Sequence, residues 1–447
     1  MRNSITGWTK GHELVSKNAR KVIGCTATPV FNKPEDLIGL STAMDLPEEW
    51  KGWPKWFKDR KRTCVNTDTI TEFNTKYVDR VTDDILNLPP ITHEVVNFEV
   101  VVDPDSVADY NNVLAKARRL RFSIERNGGR ATAQEMNKLM AYLQTLQQFL
   151  VSPLLAERGA SEMQKNQELI LEASASDTGA LVALRNTLLK LHGESLDRIM
   201  VAACHTSLLK IAMEYLKRTT PEAGDVILYT GELRQNQRSD AVRRFLTGTR
   251  TVMLMSIDAG GTGLHLVPGS NAAIFWGSRP FSPMQVLQTA KRIHRIGQDF
   301  PVKIMHLIAE GSVDYAINMV HGDKLSLSKA VIDHDMSTLE SQGGRWRSTG
   351  RIVDACKFLS EDGSFTGDEI SEDRAMSSAN AYRASRSAAH PHNPDDLYAA
   401  NAPPPHSNGI DDLMMDLPPL PAPIAQALMA QSANLLTGLL QAVGLQI

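Results

Sequence analysis

Five apolar runs of strand length recur in the second half of the chain, at 199–203, 226–229, 252–256, 272–276 and 302–308. Between most of them lie polar-and-apolar segments of helical length, at 207–217, 236–246 and 282–296. Strands that are apolar throughout are buried on both faces. Their alternation with helices predicts an α/β unit, a parallel sheet flanked by helices on both sides.

The pattern elsewhere is less regular. Lys21-Val22-Ile23-Gly24 reads as a short strand, followed by Cys25-Thr26-Ala27-Thr28-Pro29. A helix is expected from near Asn32, with Pro34 in its first turn and Glu35 and Asp36 where acidic groups favour a helix N-terminus. Trp50, Trp53 and Trp56 recur every third residue, which fits local packing better than a base-stacking platform, since few basic residues alternate with them. Valines at 95, 96, 100 and 102 with Phe98 predict a strand over 93–102. A long helical stretch then runs from 106 to 148, broken at Gly128-Gly129. Its basic cluster Lys116-Ala117-Arg118-Arg119-Leu120-Arg121 suits either a phosphate-facing surface or a solvated helix face. From 334 onward Ser, Ala, Gly, Pro, Asn and Asp dominate, which predicts a disordered tail. Within it, 424–443 carries an amphipathic stripe, a candidate partner-binding helix. The chain thus divides into residues 1–90, a mostly helical 91–190, an α/β unit over 191–333, and a tail over 334–447.

Composition adds constraints. The 447 residues are 42% hydrophobic and 22% charged, ordinary globular values that exclude collagen-like and wholly disordered chains. No apolar run approaches the roughly 18 residues of a membrane-spanning helix, and no apolar signal-peptide core opens the chain. The four cysteines are scattered, so neither a disulfide framework nor a cysteine metal site is expected; no metal ligands are assigned. Residues 335–447 hold 14 Asp and Glu against 7 Lys and Arg, a net of −7. The overall −3 therefore leaves +4 on the first 334 residues, a balance that permits nucleic-acid contact by the body of the chain.

Two segments carry candidate chemistry. In S-P-M-Q-V-L-Q-T-A-K-R-I-H-R-I-G-Q (282–298), Ser282 reads as an N-cap, Pro283 as the first helical residue, Gln285 as the partner of a capping box, and Gly297 as the terminator. Helical spacing puts Gln288, Arg292 and Arg295 on one face, opposite Val286, Ala290 and Ile293. Two guanidiniums side by side form a fork for phosphate or carboxylate, or else an exposed polar face. In V-M-L-M-S-I-D-A-G-G-T-G-L-H-L (252–266), a buried strand runs into glycines at 260, 261 and 263, where the backbone can approach a ligand. The spacing is not that of a dinucleotide fingerprint, whose third glycine would fall at Leu266.

Together, Tyr229-x-Gly231, Arg238, Phe245, the S-x-x-A-G-G-x-G-L loop and the Q-x-x-x-R-x-H-R-I-G-Q segment resemble the second RecA-like lobe of the Swi/Snf-type helicase-like ATPases of superfamily 2. Thr26-Ala27-Thr28-Pro29, Leu88-Pro89-Pro90, Tyr110 and Ser152-Pro153-Leu154 resemble that family's T-G-T-P segment and inter-lobe link. The resemblance implies a remnant of a first lobe over 1–90, a helical link over 91–190 and the C-terminal lobe over 191–333. It also implies an ATP-dependent translocase on double-stranded DNA, of the chromatin-remodelling type, located in the nucleus, with nucleosomes as one possible substrate. Arg292 and Arg295 would then be arginine fingers for the γ-phosphate, and Gln288 with Gly261 and Gly263 would lie against ATP. Ser256 would face DNA phosphates, and Thr26 and Thr28 would couple nucleotide state to DNA grip. Asp258, where the family often has a basic residue, and His265, in place of a usual Asn, depart from the pattern.

The sequence contains no G-x-x-x-x-G-K-[ST] loop and no D-E-x-H box in a strand context; Asp368-Glu369-Ile370-Ser371 falls in the tail. Arg2-Asn3 resembles the basic-Asn pair that follows the D-E-x-H box in the family. The expectation is therefore a chain that lacks the surface for ATP and Mg²⁺, needs a further ATPase lobe in cis or in trans, and is inactive alone. The rival reading is a non-enzymatic module binding DNA or protein.

Overall fold

The computed structural model describes residues 7–26, 29–30, 34–60, 64–79, 85–101, 104–127, 131–260, 264–267 and 269–310. It also describes separate positions between 312 and 337. Apart from Ser337, the predicted tail lies outside the described residues, and so does its amphipathic stripe.

Six strands, β1 (Ile91–Phe98), β2 (Arg198–Ala203), β3 (Asp225–Tyr229), β4 (Thr251–Ser256), β5 (Ala272–Phe275) and β6 (Val302–Ala309), form one sheet in the order β1-β6-β5-β2-β4-β3. Every pairing is parallel. The α/β reading is thus borne out, and the five apolar runs are five of the six strands. The sixth is the valine-rich run after Leu88-Pro89-Pro90. It pairs along its whole length with β6, from Ile91 opposite Val302 to Phe98 opposite Ala309. It ends at Phe98, with Val101 exposed rather than continuing the strand.

Alternation along the strands divides the core in two. Ile199, Val201, Val252, Leu254, Ile274 and Leu307 point to one face, against helices Gly179–Gly193 and Thr206–Thr219. Met200, Ala202, Met253, Met255, Phe275 and Ile304 point to the other, against helices Gln235–Thr247 and Pro283–Ala290. With both faces covered, a strand gains by being apolar at every position.

Helices Pro104–Arg126 and Ala133–Val151 pack on each other, on Ala309 at the end of β6, and on Val313 and Ile317 beyond it. The basic cluster does not present one face: Arg121 is buried, Arg118 half-buried, and Lys116 and Arg119 exposed. In the N-terminal region Trp50 and Trp56 are fully buried with Phe73, Leu37 and Ile70, so the tryptophan stripe is packing, as expected. Ala330 and Val331 join this cluster, and Asn74 Nδ2 donates to Ala330 O at 3.0 Å.

Two local expectations are corrected. Residues 21–24 form no strand; Ile23 is 74% exposed. An isolated apolar tetrapeptide has no ladder to satisfy its backbone, and no described strand pairs with it. The following helix is Glu35–Ala43 rather than one beginning near Asn32, with Pro34 at its N-cap and Glu35 and Asp36 in its first turn.

Neighbouring strands β2 and β5 continue in opposite directions, β2 toward β3 and β5 toward β6. In open parallel sheets, such a reversal leaves a crevice at the strands' carboxyl ends.

Candidate functional site

β4 leads to that edge. Ser256, its last residue, is buried, and a single turn follows, Ile257–Gly260. A Cβ at Gly260 would fall 2.2 Å from Met255 Sδ, so a larger residue there would displace that side chain. Gly261 and Gly263 lie outside the described residues, and so does Thr28; Thr26 is exposed in coil. Asp258 is exposed and accepts a 3.3 Å hydrogen bond from Gln285 Nε2, which stitches the β4 turn to helix Pro283–Ala290.

That bond replaces an expected one. Pro283 is at the first helical position, as predicted, but the Ser282 side chain makes no capping bond. Gln285 bonds to Asp258 instead of completing a capping box. The helix also ends at Ala290, so Arg292 and Arg295 do not extend the helical face that carries Gln288. The physical cause is visible in the backbone. Arg292 N bonds to Thr289 O and Ile293 N to Ala290 O, three residues back rather than four, which tightens the chain into turns. Ile293 is fully buried, and His294 is drawn away toward Pro89.

The two arginines meet nonetheless. Arg292 Nη1 and Arg295 Nη1 each stand 3.4 Å from the carbonyl oxygen of Leu264, just after the glycine run. Leu266 N donates to Arg292 O at 3.2 Å, docking the arginine turn onto the β4 loop. Gln298 closes the turn from beneath. Its buried Nε2 donates to Ile293 O and Ser270 O, both at 2.8 Å, and Gly297 takes φ +94° so that the chain can reverse there. Gln288 and Arg292 are half-buried and Arg295 is exposed.

Burial, and then the neighbouring Arg295 charge, hold the Arg292 guanidinium below its ordinary pKa. Two like charges aimed at one carbonyl make a site that an anion would stabilise. In the crevice itself, burial pushes the Cys204 thiol up to about 12, so it is no nucleophile at neutral pH. Among the described residues, no cluster of three His, Cys, Asp or Glu could hold a metal ion.

Sequence reasoning overlooked the supports of the turn. Gln298 was visible as the last residue of the H-R-I-G-Q run, five residues beyond the buried Ile293, but nothing in its spacing tells which carbonyls it reaches. The Gln285–Asp258 and His294–Pro89 contacts join positions 27 and 205 residues apart, beyond the reach of periodicity.

The site thus consists of an all-parallel sheet with an arginine turn docked on residues Leu264 and Leu266 beyond β4. Residues 180–297 match the family model of the helicase conserved C-terminal domain, and the chain carries that domain. The resemblance to Swi/Snf-type ATPases is borne out over this region. The chain is 31% identical over 128 residues to chromodomain-helicase-DNA-binding protein 1-like of Danio rerio, covering 29% of this chain and 12% of that protein. It is 36% identical over 110 residues to DNA repair protein RAD5A of Arabidopsis thaliana, covering 24% and 10%. It is 32% identical over 114 residues to human TATA-binding protein-associated factor 172, covering 25% and 6%. The chain thus spans about a tenth of the length of these relatives. Similar solved structures include the C-terminal part of the Fun30 ATPase domain, at 18% identity and TM-score 0.41, covering 60% of this chain and 98% of that one. Another is the Sulfolobus solfataricus SWI2/SNF2 ATPase core in complex with dsDNA, at 17% identity and TM-score 0.38, covering 70% and 61%.

Proposed function

We propose that this lobe is the arginine-bearing half of an ATP-driven double-stranded-DNA translocase of the chromatin-remodelling type, working in the nucleus. The observation that carries this reading is the convergence of Arg292 and Arg295 on Leu264 O beside the β4 loop. The sequence holds no P-loop, so the phosphates would be held by an ATPase lobe outside these 447 residues, in cis or in trans. Arg292 and Arg295 would spread the charge that develops on the transferred phosphoryl group, with Gln288 a turn before them. Ser256 with Gly261 and Gly263 would approach the nucleotide and the DNA backbone, and Thr26 and Thr28 would couple the two. A DNA- or protein-binding module without activity is the competing reading.

The test is reconstitution. The chain alone should release no phosphate from ATP. Supplied with a P-loop lobe of the same family, fused or added, it should show DNA-stimulated hydrolysis. Arg292→Ala or Arg295→Ala should then cut turnover by about 10³ or more while DNA affinity stays within a few-fold. A reconstituted enzyme indifferent to both substitutions would overturn the assignment.

A further inference from the structure

We propose that His294 is a positioning residue through which the segment Leu88-Pro89-Pro90, where the link enters this lobe, fixes the geometry of the Arg292–Arg295 turn. Its importance for catalysis rests on the function proposed above; the positioning itself does not.

His294 lies between the two arginines in sequence but points the other way, and it is buried. Its Nε2 is 2.7 Å from Pro89 O, 205 residues earlier. A carbonyl can only accept, so His294 carries its proton on Nε2. The other ring nitrogen agrees: Lys291 Nζ stands 3.1 Å from Nδ1, which therefore accepts. Both contacts select one tautomer and lock the ring in one orientation.

The same segment is fastened a second time. Val302 N, at the exit of the arginine turn, donates to Pro90 O at 2.9 Å. Pro89 and Pro90 thus hold the segment from His294 to Val302 at both ends before the chain continues as β1 alongside β6. Proline fixes φ and has no N–H, so Pro89 and Pro90 present their carbonyls from a stiff, pre-set backbone. A displacement of the link before Leu88 would reach the arginines through His294 rather than through the sheet, whose strands are held by continuous ladders. The guanidiniums need placement on the ångström scale to act on a phosphoryl group.

The experiment uses the full 447-residue chain and needs no activity. In imidazole ¹⁵N spectra at pH 7.5, His294 should show the Nε2–H tautomer; an Nδ1–H signature would overturn the proposal. In hydrogen exchange, His294→Ala should speed exchange of 291–298 by about five- to tenfold while β2, β4 and β5 keep wild-type protection. His294→Gln, whose amide nitrogen can donate to the same carbonyl, should restore most of the protection. Equal loosening of the whole sheet, or no change in 291–298, would show that the bond merely fills space. Should His294→Ala fail to fold, Pro89→Gly, which keeps the carbonyl but frees its backbone, should loosen the same segment. In the reconstituted enzyme, His294→Ala should lower kcat with KM little changed. If Arg292→Ala and Arg295→Ala are silent there, the functional reading fails, while tautomer and exchange still decide the positioning.

Discussion

Trp276 Nε1 donates a 2.8 Å hydrogen bond to the carbonyl oxygen of Ala180, ninety-six residues earlier. Both residues are buried, and the bond ties the end of β5 to the first turn of helix Gly179–Gly193. Indoles are buried in cores where their N–H finds such a partner. Trp276→Phe removes the donor and part of the ring volume. The expected cost is about 1–3 kcal/mol, read as a lower urea midpoint with unchanged m. An unchanged midpoint would mean that the bond contributes nothing net.

Much of this lobe was legible in the sequence, because its central strands are predominantly apolar and segments of helical length separate most of them. The runs around Val201, Leu254 and Ile274 could be placed from hydrophobicity alone, since a strand covered on both faces reads as a nearly continuous apolar run. The sheet membership of β1 was not legible. A strand that starts directly after a proline pair looks the same whether it pairs with β6 or stands in a link. Residues 21–24 mark the converse failure: a β-prone tetrapeptide that no neighbour pairs. At the site, the arginines were singled out by type and spacing, and the structure brings both to Leu264 O. The end of the helix at Ala290 was not legible, because Arg292 and Ile293 are good helix residues, and the buried anchors on either side of them override that preference.

Acid should destabilise the lobe well above the pH at which carboxylates titrate. His93 Nδ1 and His306 Nε2 are 3.1 Å apart, their rings stacked, and Arg279 Nη2 stands 3.4 Å from His306 Nδ1. Arginine donates, so His306 accepts at Nδ1 and donates from Nε2 to His93. Burial holds His93 down to about 4, helped by Lys291 and His294. Burial with Arg279, His93 and His321 holds His306 well below its ordinary value. The unfolded chain, with imidazoles near 6.5, takes up protons first as pH falls, so stability present above pH 6.5 is lost on the way to about pH 4. The slope contributed by each histidine is at most about 1.4 kcal/mol per pH unit. His192 and His205, also lowered by burial, act in the same direction, and the buried Asp314 carboxyl, raised by burial, opposes it at lower pH. His93→Asn keeps an acceptor for His306 and should flatten urea-unfolding stability between pH 6.5 and 4.5. An identical slope in the variant would exclude His93 as a contributor.

Gly179 should not tolerate a methyl group. A Cβ there would fall 2.0 Å from Glu99 O and 3.0 Å from Val101 N, where the chain beyond β1 crosses the start of helix Gly179–Gly193. Gly179 N also donates to Val101 O at 3.2 Å. Gly179→Ala must push this crossing apart, at a cost of about 1–3 kcal/mol or more. Gly193, at the other end of the same helix, has nothing within 4 Å of its Cβ position. Gly193→Ala should therefore be neutral or stabilise by up to about 1 kcal/mol. Thermal unfolding of the pair checks the contrast; equal shifts would contradict it.

Double-stranded DNA should bind this chain weakly, without sequence preference and with steep salt dependence, because only residues 1–334, at net +4, are basic. Asp258 is the informative position. It is exposed on the β4 turn, two residues beyond Ser256, and held toward helix Pro283–Ala290 by Gln285 at 3.3 Å. A carboxylate there repels phosphates that approach the turn. Asp258→Arg replaces that repulsion with a side chain able to reach a phosphate, at the expense of one exposed hydrogen bond. On the DNA reading, the variant binds a random duplex more tightly at low salt, and the logarithmic slope of affinity against salt steepens by about 0.9, the release of one further counterion. Asp258→Asn, which removes the charge without adding a contact, should fall between the two in affinity and keep a slope nearer the wild type. Fluorescence anisotropy over about 0.05–0.3 M salt measures both quantities. If affinity and slope are the same in all three proteins, DNA does not pass over the β4 turn, and the surface assigned to Ser256 and the glycine run is the wrong one.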